Sequence, residues 1–214
     1  MRKITVATPF GAGALLLRSM TAVEQLGRCY SIDLELLSED LDLKLEDGIG
    51  QPMTVDIEYE DGQHRYFSGI ATEFSQVGIV GRYAAYSARL APWFWFLGRT
   101  ADCRVFQNQS VPEIIKTVFR DFGSDEFTDK LSNRYEPWDY CVQYRETALN
   151  FVSRLMEEEG IYCFFQYKDG GHTLVLADGS GTHEPVAGCD EIKFLAGGEG
   201  TQAQDERMYV WSVH

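Results

Sequence analysis

The sequence predicts an α+β protein, mainly β, in which a barrel-like region of short strands precedes a segment of helices and a hairpin. Three observations carry that reading. Apolar and polar residues alternate with period two from residue 15 to about residue 97, two amphipathic stretches with capping signals lie between residues 110 and 160, and a hairpin pattern occupies residues 161–177.

In the first region Tyr30, Ile32, Leu34 and Leu36 alternate with Ser31, Asp33 and Glu35, so one set faces a core and the other faces water. Met53, Val55, Ile57 and Tyr59 alternate with Thr54, Asp56 and Glu58. Asp61-Gly62 then supplies a positive-φ turn that returns the chain along Arg65, Tyr66, Phe67 and Ser68. Gly78 and Gly81 mark another turn, and residues 83–90 continue as a strand. Several short antiparallel strands separated by turn residues predict a sandwich or barrel. Trp93-Phe94-Trp95-Phe96-Leu97 breaks the alternation. Its aromatic rings are read as core or subunit-interface packing.

From about residue 101 the pattern becomes helical. Ser110-Val111-Pro112-Glu113 is a capping box with proline in the first turn, Ile114, Ile115, Val118, Phe119 and Phe122 form one apolar face, and Gly123 stops the helix. Thr147 caps a second helix. Leu149, Val152, Leu155 and Met156 face inward there, Arg154 and the Glu157-Glu158-Glu159 run face water, and Gly160 is the left-handed stop. Residues 161–167 and 172–177 read as strands joined by the turn Lys168-Asp169-Gly170-Gly171. Asp178-Gly179-Ser180-Gly181 reads as a linker, and residues 192–195 and 208–213 as two further strands. The chain stops inside a β pattern, and a longer protein is expected to continue beyond His214.

Charge narrows the partners. Nineteen Lys and Arg stand against 33 Asp and Glu, a formal net charge of −14 that repels phosphate backbones, so neither nucleic acid nor an anionic lipid surface is expected as a partner. No membrane-spanning segment is expected, because no apolar run approaches the ~20 residues a span requires. Residues 1–13 hold Arg2 and Lys3 without a continuous apolar stretch and do not read as a signal peptide.

Chemistry is read as absent. Cys29, Cys103, Cys141, Cys163 and Cys189 are scattered and odd in number, which predicts reduced, mostly buried thiols. His64, His172 and His183 lie outside metal-binding spacing from any cysteine. No nucleophile elbow, zincin motif or phosphate loop is present, and Gly11-Ala12-Gly13 lacks the third glycine of a dinucleotide fingerprint. No catalytic, cofactor-binding or metal-ligating residue is therefore assigned, and the chain is expected not to be an enzyme. Glu157-Glu158-Glu159 reads as a solvated helix face rather than a cation site. Asn108-Gln109-Ser110 matches a glycosylation acceptor, but Ser110 is taken as a helix cap.

One string is specific. Trp138-Asp139-Tyr140-Cys141-Val142-Gln143-Tyr144-Arg145-Glu146-Thr147, continued by Phe151-Val152-Ser153-Arg154-Leu155-Met156-Glu157-Glu158-Glu159-Gly160-Ile161-Tyr162, resembles the signature of the VgrG family. These are the valine-glycine repeat spike proteins of type VI secretion, and the similar part is the one that resembles the hub of contractile phage baseplates. Leu15-Leu16-Leu17-Arg18, Phe67-Ser68-Gly69-Ile70, Cys103-Arg104-Val105-Phe106-Gln107 and His172-Thr173-Leu174-Val175-Leu176-Ala177-Asp178 extend the likeness over residues 15–178.

The resemblance implies a first hub barrel of tube-like form over residues 1–100, an α/β intermediate domain over 101–190 and the truncated beginning of a second hub barrel over 191–214. It implies a structural signature made of Trp138, Asp139, Tyr140, Gln143, Tyr144, Glu146, Phe151, Arg154, Leu155, Glu157, Glu159 and Gly160. In the full-length protein it implies a homotrimer that adapts a sixfold tube to a puncturing needle and helps deliver effectors. Its partners would be the tube ring protein, baseplate proteins and cargo effectors, with no cofactor. Such a protein would be cytoplasmic before firing and then secreted by the apparatus without a signal peptide. Complete members continue into a second barrel, an oligonucleotide-fold-like domain and a β-helix needle, so this chain is expected to be a hub fragment. The rival reading is the baseplate hub of a contractile phage or prophage tail. Ala148 departs from what the helix dipole would favour in a first turn, an acidic residue.

Overall fold

The computed structural model describes residues 3–184, together with 193–194 and 207–208. The alternating region forms β1 (Lys3–Ala7), β2 (Leu16–Val23), β3 (Ser31–Ser38), β4 (Pro52–Glu58), β5 (His64–Val80) and β6 (Tyr83–Ala91), an antiparallel sheet in the order β1-β4-β5-β6-β3-β2. The sheet curls so far that its end strands, β1 and β2, approach within 8 Å between Cα atoms without forming a ladder. Ile32, Leu34, Leu36, Met53, Val55, Phe74, Tyr86 and Leu90 fill the inside of the curl.

Two details depart from the alternation. Thr54 lies on the polar side of β4 yet is buried, its hydroxyl 2.9 Å from that of Ser68, which in turn donates to the Lys168 carbonyl at 2.9 Å. The outer face of β4 and β5 is therefore covered by the later hairpin. Gly78, read as a turn, instead lies within β5 as part of a β-bulge, and the reversal is made by Gly81 at φ +63°. β1, in the stretch tested for a signal peptide, was not anticipated.

After β6 the aromatic block folds into a 3-10 turn, Trp93–Arg99, that buries Trp93, Phe94 and Leu97. Then follow β7 (Ala101–Phe106), α1 (Val111–Phe122), β8 (Phe127–Lys130), β9 (Cys141–Thr147), α2 (Ala148–Glu159), β10 (Tyr162–Lys168) and β11 (Gly171–Ala177). β10 and β11 form the expected hairpin, and β8 adds to it in parallel with β11; β7 and β9 make a separate antiparallel ribbon. Neither β7 nor β9 was expected as a strand. Ile114, Ile115, Phe119, Phe151, Leu155, Leu174 and Leu176 join Trp93 and Phe94 in a second apolar cluster.

The chain divides into two compact units, Met1–Asp178 and Gly179–His214. In the second unit the described residues form a 3-10 turn, Ser180–Thr182, and a two-residue parallel pairing of Lys193–Phe194 with Arg207–Met208. The remainder of the strands expected at 192–195 and 208–213, the second barrel and Cys189 lie outside the described residues.

Candidate functional site

Helix α2 begins where Thr147 Oγ1 accepts the Asn150 N–H at 3.1 Å and ends at Gly160, whose φ of +69° suits a residue without Cβ. Its inner face buries Phe151, Val152, Leu155 and Met156, with Phe151 stacked on Phe106 of β7 at 5.7 Å between ring centres. The helix is thus packed directly against the ribbon that precedes it.

That ribbon carries a defect. Asp102 pairs with Glu146 but Cys103 pairs with Tyr144, so Arg145 is the extra residue of a bulge, held at φ +50°. A side chain in the left-handed region costs on the order of 1 kcal/mol. Gln143, fully buried, spans the defect: its Nε2 donates to the Glu146 carbonyl and its Oε1 accepts from Arg104 Nε, both at 3.1 Å.

Two ion pairs continue from this amide. Arg104 Nη1 donates to Asp121 of α1 at 3.0 Å, and Glu146 accepts from Arg154 of α2 at 2.7 Å. The hydrogen bond that Arg154 donates to the Glu146 carboxylate holds the Arg154 pKa above its ordinary value. The line Asp121, Arg104, Gln143, Glu146, Arg154 therefore ties both helices to the ribbon. Trp138 adds a further tie: its N–H donates to the Gln109 carbonyl at 3.0 Å, and its indole Nε1 donates to Glu159 at 3.1 Å. Glu159, expected to face water with its neighbours, is instead half-buried as this acceptor.

Of the signature positions, Trp138, Gln143, Glu146, Phe151, Arg154, Leu155, Glu159 and Gly160 converge in this way. Asp139, Tyr140, Tyr144 and Glu157 do not. They are exposed, Tyr144 beneath the Arg145 guanidinium at 5.3 Å and Glu157 at 3.9 Å from Arg28. Arg104, Asp121 and Gln109 were missed by sequence reasoning because their partners lie 17 to 39 residues away. Asp178, read as a linker residue, closes a loop instead. It accepts from the backbone N–H groups of Asn133 and Ser132 and from the hydroxyls of Ser132 and Tyr135. Desolvation opposes its charge, but these donors outweigh it and hold the carboxyl at about 2.

A cavity of about 280 Å³ opens beside Trp93 and His172, with Pro52, Ile70, Glu126 and Lys168 among its walls. His172 Nε2 accepts the Trp93 N–H at 3.0 Å, and burial pushes its pKa down to about 4. The ring is thus a neutral acceptor already in use. Lys168 and Glu126 pair with each other at 2.6 Å. Among the described residues no group of three or more His, Cys, Asp or Glu side chains converges as metal ligands, and no helix is long and apolar enough to cross a membrane. Cys29 is half-buried and Cys141 and Cys163 are buried, whereas Cys103 is exposed on the outer face of the ribbon.

Comparison with known proteins places this geometry. Residues 23–214 match the phage tail baseplate hub (GPD) family. Two spike proteins of the type VI secretion system of Pseudomonas aeruginosa are similar over nearly the whole chain: VgrG1b, 50% identical over 213 residues, and VgrG1a, 46% identical over 212. These alignments take in 100% and 99% of this chain but 28% and 33% of the relatives, so the chain spans about a third of their length. Among solved structures, the E. coli c3393 protein, described as a type VI secretion component similar to the phage T4 tail proteins gp27 and gp5, superposes with a TM-score of 0.68 at 23% identity, over 85% of this chain and 51% of that one. A 43 kDa tail protein of prophage MuSo2 from Shewanella oneidensis superposes at 0.58 and 18% identity, over 95% and 59%.

Proposed function

This chain belongs to the phage tail baseplate hub (GPD) family, and from that premise we propose that it is the hub portion of a type VI secretion spike protein of VgrG type. The observation that carries the reading is the 46–50% identity to named spike proteins across essentially all of its residues. The prophage tail protein shares the fold at 18% identity, which favours the secretion apparatus over a phage tail as the setting.

In this reading three copies of the longer protein form a ring that joins a sixfold tube to a needle. Such an adapter transmits force, and what it requires of its residues is rigidity. Signature residues together with Arg104 and Asp121 supply it: Gln143, Arg104, Asp121, Glu146 and Arg154 pin the ribbon to both helices, and Leu155 and Phe151 bury the contact beneath them. The role asks for no catalytic group, and no metal or cofactor enters it. The tube ring protein, baseplate proteins and cargo effectors are the proposed partners. The protein would reside in the cytoplasm before firing and leave with the apparatus.

The test is made in the organism that encodes the chain, with the full-length gene deleted and then restored. Export of the tube ring protein into the medium should stop on deletion and return on restoration, and cross-linking of the restored protein should give trimers. Unchanged export, with the protein recovered instead in phage-like particles, would overturn the reading.

A further inference from the structure

The β5–β6 hairpin ends in a region that is folded as sheet but lacks a neighbour on one side. β4 pairs with β5 only as far as Ile70, opposite Pro52, whereas β6 pairs with it on to Val80. On the other flank β3 covers β6 to Ala84, opposite Ser38. β5 is therefore left with one open edge. Every residue from 75 to 80 is exposed, and among the described residues no backbone group in that stretch bonds to a strand other than β6. Six residues of strand present about 20 Å of unpaired N–H and C=O groups.

Past Ser75 and Gln76 the side chains there are apolar. Val77 and Ile79 are 64% and 68% exposed, Val80 is exposed beside them, and Leu41 lies close by, its carbonyl accepting from Gln76 Nε2 at 3.4 Å. Natural sheets guard such an edge with lysine or proline, and residues 75–80 contain neither. The flanking loop is acidic: Glu39, Asp40, Asp42, Glu46 and Asp47 surround the single Lys44. The one cation at the hairpin tip, Arg82, is taken by Glu39 at 3.0 Å.

We propose that this edge takes up a short extended segment of another polypeptide, with alternate apolar residues and lysine or arginine at its ends. The open backbone supplies the hydrogen bonds, Val77 and Ile79 the apolar contact, and the carboxylates the charge preference. A second copy of this chain fits less well, since it would bring the same acidic loop and another −14 charge to the contact. The bulge between Gln76 and Gly78 breaks the edge's regularity, which favours one short strand over open-ended stacking. The proposal is independent of the hub reading and uses none of its residues.

The test uses the 214-residue chain and a blocked peptide of alternating valine and threonine with two lysines at each end. Its control has glutamates in place of the lysines. Titration followed by amide NMR should show the lysine peptide binding at least tenfold more tightly than the control, more weakly as salt is raised, with amide exchange slowed within residues 75–80. The double variant Val77→Lys, Ile79→Lys should keep its circular dichroism and lose the binding. Equal binding of the two peptides, or protection elsewhere than residues 75–80, would overturn the proposal. So would protection that appears without peptide as protein concentration rises, which would identify a second copy as the occupant.

Discussion

The β7–β9 ribbon and the outer part of the β5–β6 hairpin both carry a bulge, but they handle it differently. In the ribbon the extra residue, Arg145, is bridged by a buried glutamine whose amide is itself held by Arg104. In the hairpin the extra residue, Val77, has no such bridge, and Gly78 beside it has φ +152°. The ribbon buries polar groups and satisfies them; the hairpin exposes apolar groups and leaves a backbone edge open. The difference teaches where rigidity and where binding capacity reside in one small fold. A buried amide with both ends bonded fixes geometry, because leaving either end unpaired is costly. An open edge costs little while water covers it and is available to a partner.

Mutations can break that comparison, beginning with the largest effect. Leu155→Ala beneath the ribbon should cost about 2 to 5 kcal/mol in urea unfolding, because the site is fully buried and the surrounding rings limit collapse. A loss under 1 kcal/mol would mean that α2 is not anchored as described.

Acid should act next, through His172. Its folded pKa of about 4 lies below the ordinary 6.5, so the unfolded chain binds the proton more readily. The stability it contributes is whole above about pH 6.5 and is lost as pH falls towards 4, on the order of 3 kcal/mol. Exposed His64 works with the opposite sign, since its hydrogen bond to Asp56 raises its pKa. His172→Gln should flatten the decline in urea midpoint between pH 6.5 and 4, and an unchanged decline would assign it to other groups.

Gln143→Met keeps the volume and removes the bridge. It should cost about 1 to 3 kcal/mol, by stranding the Glu146 carbonyl and the Arg104 guanidinium. At the other end of the scale, Val77→Lys and Glu158→Ala should each change stability by under about 0.5 kcal/mol, since both side chains are exposed. A hairpin variant as costly as Gln143→Met would erase the distinction between the two regions.

Legibility in the sequence followed the same divide. Period-two alternation located β3, β4, β6 and the β10–β11 hairpin, and capping signals located both helices, because these depend on neighbours within a few residues. The ribbon escaped notice since its alternation is inverted: Tyr140, Val142 and Tyr144 face outward while Gln143 faces in, so apolarity pointed the wrong way. His172 was readable, as it shares a strand face with Leu174 and Leu176. Asp178 was not, because its partners at residues 132–135 come from a loop more than 40 residues earlier. The open edge at residues 75–80 depends on where β4 stops relative to β5, which no local pattern encodes.

Native-state hydrogen exchange at single-amide resolution on the 214-residue chain tests the contrast most directly. Amides of residues 103–106 and 141–144 that bond across the ribbon should exchange at least about 100-fold more slowly than outward-facing amides of residues 77–80. Equal protection in the two places, at a protein concentration where the chain is monomeric, would contradict the division into a closed ribbon and an open edge.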